Sequence, residues 1–178
     1  MTMSEVTLVS TEERHAVSIQ GRVKMPNIPQ FIGGAYSEIW MEMKRNGWEI
    51  AGPPFAYYRS CSDGEVDLDC GFPVKGEVAR TDRARPFTLP AVIAARALHK
   101  GPYMELVRVY EMVERWIKAK GLEPADHMWE NYLNDPAMVS PEELMTEIIW
   151  PIKSSVLSAP YEAERRWRAQ KLITSPRK

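Results

Sequence analysis

The 178-residue chain has little cysteine, little histidine and no long hydrophobic run. Two cysteines are too few for a disulfide framework, and the three histidines lack metal-ligand spacing. No apolar segment approaches the roughly 18 residues of a membrane helix, and the polar N-terminus does not resemble a secretory signal. The net charge of −1 gives no general attraction to nucleic acid or membranes. We therefore expect a cytoplasmic protein without metal or cofactor, with no direct nucleic-acid binding and no membrane contact.

The composition is that of an ordinary globular domain, with 44% hydrophobic and 26% charged residues. Its aromatic residues are unusual in kind, because six Trp and seven Tyr outnumber four Phe. Trp and Tyr combine an apolar ring with a polar atom, so they suit ligand-lining surfaces as well as cores.

Two segments have the apolar spacing of amphipathic helices, residues 29–46 and 103–120, and each is followed by a glycine. The predicted apolar stripe of the second helix includes Val107. Short β-branched or alternating runs predict strands at 55–61, 65–74, 87–98, 128–133 and 144–152, with one bent strand or two in residues 4–24.

An internal repeat relates the two halves of the chain. Gly47 and Gly121 are 74 positions apart, as are Tyr36 and Tyr110, and the final strands match at an offset of 78. The repeat predicts an α+β fold of duplicated strand–helix–strand–strand modules with pseudo-two-fold symmetry. It would have an antiparallel sheet, two main helices and a central groove, a favoured place for a ligand. We expect one domain over residues 1–152, with modules at about 4–76 and 86–152. Residues 153–178 would form a basic tail, either a short helix or a solvated extension.

Glu147 is a carboxylate in the middle of an otherwise apolar strand. It lies either on a solvent-facing side of that strand or in a ligand groove, where a buried carboxylate would need a partner. At offset 78 its counterpart is Asp69. A two-residue turn at 63–64 would place Tyr58 opposite Asp69, and the repeat would then place Tyr132 opposite Glu147. A bulge in the hairpin would move each partner by one position.

Several short motifs follow one another in the second half of the chain: Leu89-Pro90, His99-Lys100-Gly101-Pro102-Tyr103, Trp116-Ile117, Gly121-Leu122, Tyr132-Leu133-Asn134-Asp135-Pro136, Glu143-Leu144, Thr146-Glu147-Ile148 and Pro151-Ile152. In this order they resemble the GyrI-like small-molecule-binding superfamily, the effector-binding domain of many AraC-type and MerR-type regulators. The resemblance is strong over residues 89–152 and weaker over 5–74.

The resemblance implies a ligand groove between the modules. In multidrug-sensing members a glutamate in the last strand attracts lipophilic cations, and Glu147 occupies that position. Tyr132 matches the tyrosine of the family's Tyr-x-x-Asp-Pro segment. No helix-turn-helix precedes the first strand, so we expect a stand-alone member, a monomer or homodimer. It would hold an amphipathic, aromatic or cationic ligand for sensing or for toxin and drug sequestration.

Two other functions stay open at this point. The first is hydrolysis of cyclopropane-bearing genotoxins, with Glu147 as base and Tyr132 as hydrogen-bond donor. The second is a protein-interaction role such as topoisomerase modulation. The predicted ligand-lining residues are Glu147, Tyr132, Tyr58, Asp69, Tyr110, Tyr36, Trp40, Ile149 and Trp150, although the tryptophans fit core packing equally well.

Overall fold

The computed structural model describes residues 2–153, so the predicted basic tail lies outside the described residues after Lys153. Nine strands are present in this part: β1 Thr2–Met3, β2 Thr7–Ser10, β3 Arg14–Lys24, β4 Phe55–Ser62, β5 Glu65–Pro73, β6 Arg85–Leu89, β7 Ile93–Lys100, β8 Met128–Tyr132 and β9 Met145–Pro151. The two main helices are α1 Ile28–Asn46 and α2 Leu106–Ala119, and short 3-10 turns occupy Met25–Asn27, Tyr103–Glu105 and Pro141–Glu143.

The strands form one antiparallel sheet with a mirrored order. Its path runs β1–β7–β9–β8–β4–β5–β3–β6, and β2 also pairs with β7. The first module contributes β3, β5 and β4, and the second contributes β7, β9 and β8 in the same arrangement, so the modules meet where β4 pairs with β8. The predicted α+β fold with duplicated modules and two main helices is therefore confirmed.

The pseudo-two-fold axis passes through one residue pair at this junction. Ala56 pairs with Glu130 in the β4–β8 register, and these residues are also 74 positions apart, the offset of the repeat. Equivalent positions of the two modules therefore lie directly opposite each other only at this pair.

The first strand segment of each module crosses to the outer edge of the other module. β2 pairs with β7, and β6 pairs with β3. Residues 87–98, predicted to be one strand, are divided between β6 and β7. Pro90, which lies between them, has no amide N–H to donate to a strand ladder, so the chain changes direction there. Residues 4–24, for which one bent strand or two were predicted, contain two strands, β2 and β3.

Both helices pack on the same face of the sheet. α1 buries Ala35, Ile39 and Met43, and α2 buries Leu106, Val109, Val113 and Ile117. Val107, which the sequence placed in the apolar stripe of α2, is 61% exposed, because the helix turns it away from the sheet. A second apolar cluster lies on the other face, which we call the far face: Ala16, Phe55, Leu89, Ala94, Trp129 and Ile149. No helix among residues 2–153 has the length and apolar character needed to cross a membrane.

The predicted strand registers are wrong by one residue. Asp63 and Gly64 form the expected tight turn, with positive φ at both positions, but a bulge between Tyr58 and Ser60 then shifts the pairing. Tyr58 consequently pairs with Leu68 rather than with Asp69.

The second hairpin has the same kind of error. Glu147 pairs with Asn131, and Tyr132 pairs with Thr146. Since successive residues of a strand point to opposite faces, a shift of one residue places Tyr132 and Glu147 on different sides of the sheet. The longer loop between β8 and β9 has no two-residue turn that would fix the register.

Candidate ligand-binding site

A buried carboxylate, Glu130, lies on the helix-covered face at the pseudo-two-fold axis, and it is only 1% exposed. The Tyr132 hydroxyl donates a hydrogen bond of 2.5 Å to its Oε2 atom, and the Tyr110 hydroxyl donates to its Oε1 atom. The Tyr58 hydroxyl lies 3.5 Å from Oε2. Three phenol groups thus surround one carboxyl group.

The fold explains how these side chains converge. Tyr132 is two residues beyond Glu130 on β8, so both point to the same face. Tyr58 on β4 is the counterpart of Tyr132 in the first module, and Tyr110 on α2 is the counterpart of Tyr36 on α1. The repeat therefore supplies a pair of tyrosines from the sheet and a pair from the helices.

Ring contacts join these tyrosines. Tyr36 and Tyr103 both meet the Tyr132 ring edge to face, with ring centres 6.4 Å and 5.6 Å away. Tyr36 also meets Phe72 at 5.3 Å. We call Glu130 with the five tyrosines Tyr36, Tyr58, Tyr103, Tyr110 and Tyr132 the tyrosine cage.

The electrostatics of the cage are those of an uncompensated acid. No Lys, Arg or His of residues 2–153 lies within ion-pair distance of Glu130. Burial raises the pKa of this carboxyl from 4.5 to about 7, although the hydrogen bonds from Tyr132 and Tyr58 act in the opposite direction. Burial, with the nearby Glu130 charge as a lesser cause, raises the pKa of Tyr132 and Tyr58 well above the ordinary value. The phenols therefore stay protonated and act as donors.

One buried polar atom of the cage has no partner among the described residues. The Tyr36 hydroxyl is buried and makes no hydrogen bond to any described residue. Burial is also the main reason that the pKa of Tyr36 is well above its ordinary value. A buried phenol that can donate a hydrogen bond but does not do so marks a place where a ligand group or water would be stabilised.

Asp69, predicted to line the ligand site, is fully buried on the far face instead. It binds the guanidinium groups of Arg59 and Arg85 and accepts a 2.8 Å hydrogen bond from the Ser18 hydroxyl. Arg59 also lies over the rings of Tyr57 and Phe87. The Asp69 charge is therefore compensated within the protein.

Glu147 also lies on the far face. Arg96 Nε donates to its Oε1 atom over 2.5 Å, and Asn131 Nδ2 donates to its Oε2 atom over 2.8 Å. Its side chain is 16% exposed. The structure thus separates Glu147 and Asp69 from the four tyrosines with which they were predicted to work.

The other three predicted lining residues are dispersed. Trp40 is 47% exposed on α1, with the Lys44 ammonium 5.2 Å from its ring centre. Ile149 is buried on the far face. Trp150 packs against the α2 core and donates through Nε1 to the Ala125 carbonyl at 3.0 Å.

Glu130 and Tyr103 are not among the lining residues that were predicted from the sequence. Glu130 had a usable signal, because residues i and i+2 of a strand share a face, and Tyr132 was already placed in the ligand site. In the described part of the chain, no three His, Cys, Asp or Glu side chains group in a way that could hold a metal ion.

A comparison with protein families identifies the family of the domain. The profile of the GyrI-like small molecule binding domain matches residues 4–153. The chain belongs to the GyrI-like family. As a GyrI-like domain it is a small-molecule-binding domain, and its tyrosine cage is the candidate for the binding site. A comparison with curated proteins gave no match.

Solved structures share the GyrI-like fold. The crystal structure of the EcmrR C-terminal domain has a TM-score of 0.73 at 21% identity, over 84% of this chain and 97% of that chain. In the EcmrR–DNA complex the match spans only 57% of the EcmrR chain. SAV2435 bound to tetraphenylphosphonium matches with a TM-score of 0.61 at 15% identity, over 89% and 99% of the chains. A hydrolase from Listeria innocua matches with 0.61 at 14%, over 84% and 92%.

Proposed function

We propose that this domain binds a lipophilic cation in the tyrosine cage, with Glu130 as the anionic anchor. The observation that carries the proposal is a buried carboxylate with three tyrosine hydroxyls around it and no basic partner among the described residues. Structural carboxylates on the far face, by contrast, are paired with arginine. The anchor differs from the one predicted from the sequence, because Glu147 already has protein partners.

The physical chemistry favours a cationic and aromatic ligand. Ionising a buried carboxyl without a counter-charge is unfavourable, which is why burial raises the pKa of Glu130 to about 7. A bound cation would stabilise the ionised form, and each tyrosine face would add a cation–π attraction of about 0.5–2 kcal/mol. The ligand-bound structure of SAV2435 with tetraphenylphosphonium supports this class of ligand. The biological role would be ligand sensing or sequestration of a toxin or drug.

Calorimetric titration tests the anchor with two probes of similar shape, tetraphenylphosphonium and the neutral triphenylphosphine oxide. Glu130→Gln keeps the shape of the side chain but removes the charge. It should lower the affinity for the cation by about 10-fold or more, as expected for loss of a charge-assisted contact. The affinity for the neutral probe should change far less. Glu147→Gln is the matched control and should leave both affinities unchanged.

The titration separates three outcomes. An equal loss of affinity for both probes in Glu130→Gln would mean that the substitution disrupts the structure of the cage rather than only removing its charge. If the affinity for the cation falls in Glu147→Gln and not in Glu130→Gln, the anchor is Glu147 on the far face. If the cation binds wild type and Glu130→Gln equally, the proposal is wrong.

A second candidate function, hydrolysis of a strained cyclopropane, has one observation in its favour. A carboxyl with a pKa of about 7 is suited to accept a proton from water at neutral pH. Water would attack a ring carbon of a cyclopropane conjugated to a carbonyl while Glu130 accepts the water proton, and the ring C–C bond would break with its electron pair passing to the carbonyl as an enolate. Tyr132 or Tyr110 would donate a hydrogen bond to the enolate oxygen, and the proton on Glu130 would then pass to the carbon, which completes the addition of water. Incubation with a cyclopropane electrophile should then give repeated turnover that Glu130→Gln abolishes. Stoichiometric binding without product would exclude this function.

A further inference from the structure

Five buried side-chain polar atoms of residues 2–153 make no hydrogen bond to another residue of this part of the chain, and three of them lie together beside the tyrosine cage. These three are Nδ1 of His99, Oγ1 of Thr146 and Oε2 of Glu105. His99 and Thr146 are completely buried. Buried polar atoms are nearly always paired in proteins, so three neighbouring exceptions require an explanation.

The sheet register places these atoms in one row with the cage. His99 on β7 pairs with Thr146 on β9, and Thr146 pairs in turn with Tyr132 on β8. Residues directly opposite each other share a face, and neighbouring strands are about 4.8 Å apart. Thr146 therefore lies between the His99 ring and the phenol that donates to Glu130, on the helix-covered side of the sheet.

The turn before α2 completes this corner. The His99 Nε2 atom lies 3.3 Å from the Pro102 carbonyl oxygen and 3.9 Å from Oε2 of Glu105. Since a carbonyl oxygen only accepts, we assign the Nε2–H tautomer to His99, which leaves Nδ1 as an acceptor without a partner among residues 2–153. Gly101 allows both side chains to approach the backbone closely, because a Cβ atom there would lie 2.9 Å from Oε2 of Glu105 and 3.1 Å from the His99 ring.

The free atoms define the chemistry of a matching group. His99 Nδ1 needs a donor, whereas the Thr146 hydroxyl can both donate and accept. A hydroxyl group satisfies both at once, because it can donate to His99 and accept from Thr146. An apolar substituent in the same place would leave both buried atoms unpaired, and such mismatches give strong discrimination in binding sites.

We propose that His99 and Thr146 form a polar subsite that binds a hydroxyl group of the ligand next to the tyrosine cage. The subsite rests on the proposed function, and it narrows the ligand class from lipophilic cations in general to aromatic cations that carry a hydroxyl. Tyr132 links the two parts, since it contacts Glu130 on one side and pairs with Thr146 on the other.

The test compares tetraphenylphosphonium with (4-hydroxyphenyl)triphenylphosphonium by calorimetric titration of the full chain. Wild type should prefer the hydroxylated cation by roughly 3- to 10-fold, the size of one additional net hydrogen bond. Thr146→Val, which is nearly isosteric, should abolish this preference while leaving the affinity for tetraphenylphosphonium unchanged. Thr146→Ser, which keeps the hydroxyl, should retain the preference. Thr88→Val, at an exposed position of the edge strand β6, is the control and should also retain it.

A second measurement needs no ligand. Because the Thr146 hydroxyl makes no hydrogen bond within residues 2–153, Thr146→Val should have the same melting temperature as wild type or a higher one. A clearly lower midpoint would show that the hydroxyl is already paired in the free protein and would overturn the subsite.

The two proposals fail in different ways. Binding of tetraphenylphosphonium with an unchanged preference in Thr146→Val overturns the subsite and leaves the Glu130 anchor intact. If neither cation binds, the anchor fails, and the melting comparison alone decides whether Thr146 has a free hydroxyl.

Discussion

Replacing Glu130 by Gln should change how stability depends on pH, because the carboxyl has a raised pKa only in the folded protein. Its pKa rises from 4.5 to about 7 on folding. Between these values the folded state keeps a proton that the unfolded state has lost. The stabilisation from this proton is complete below pH 4.5, decreases as pH rises, and is lost above about pH 7.

The magnitude follows from the size of the shift. At about 1.36 kcal/mol per pKa unit, the carboxyl should lower the free energy of unfolding by roughly 2–3 kcal/mol between pH 5 and pH 8. Glutamine has no charge in this range and lacks this dependence. The difference in unfolding free energy, Glu130→Gln minus wild type, should therefore increase by about 2–3 kcal/mol from pH 5 to pH 8.

Urea unfolding monitored by tryptophan fluorescence at four pH values measures this difference. Other titrating groups affect wild type and variant alike, so they cancel in the subtraction. Thr88→Val, at an exposed position without a titrating group, serves as the control, and its difference from wild type should show no such rise. A Glu130→Gln difference that stays flat from pH 5 to pH 8 would refute the view that Glu130 is an uncompensated buried acid.

Three further predictions test the surroundings of the site and the sheet. Tyr132→Phe removes a hydrogen bond that lowers the pKa of Glu130, so a carboxyl-carbon NMR titration should show that pKa moving further upward. Gly71→Ala would place a Cβ atom 2.2 Å from a carbonyl oxygen of β3, and chemical unfolding should show a loss of about 2 kcal/mol or more. Gly33→Ala, where nothing lies within 4 Å in α1, is its control and should gain about 0.5–1 kcal/mol. Asp69→Asn leaves two arginines without their carboxylate and should lower the free energy of unfolding by about 3 kcal/mol, as measured by urea-induced unfolding.

Local sequence signals predicted the elements of the fold well. Helix periodicity placed α1 and α2, and Gly47 and Gly121 end them with the positive φ that a glycine permits. The repeat predicted the mirrored modules because equivalent residues have equivalent structural roles. Module boundaries at about 4–76 and 86–152 stay a prediction, as do the monomeric or dimeric state and the cytoplasmic location.

The strand registers were predicted wrongly, and with them the partners of Tyr58 and Tyr132. The bulge at Arg59 is a property of how two strands fit together, and no local residue pattern marks it. A shift of one residue is enough to place Glu147 on the opposite side of the sheet from Tyr132. The four predicted tyrosines do lie near one another, because Tyr58 and Tyr132, like Tyr36 and Tyr110, hold equivalent positions of the repeat. Their role in binding a ligand stays a prediction.

The position of Glu130 on the pseudo-two-fold axis also bears on how such a site can arise. In a symmetric pair of identical modules, the two positions now held by Ala56 and Glu130 would carry the same residue. Two glutamates there would have Cβ atoms about 5 Å apart and would repel each other, whereas two alanines would provide no charge. Joining both modules in one chain lets the two positions diverge. A duplicated chain can thus hold a single acid between two pairs of equivalent tyrosines, whereas a symmetric dimer of identical modules cannot.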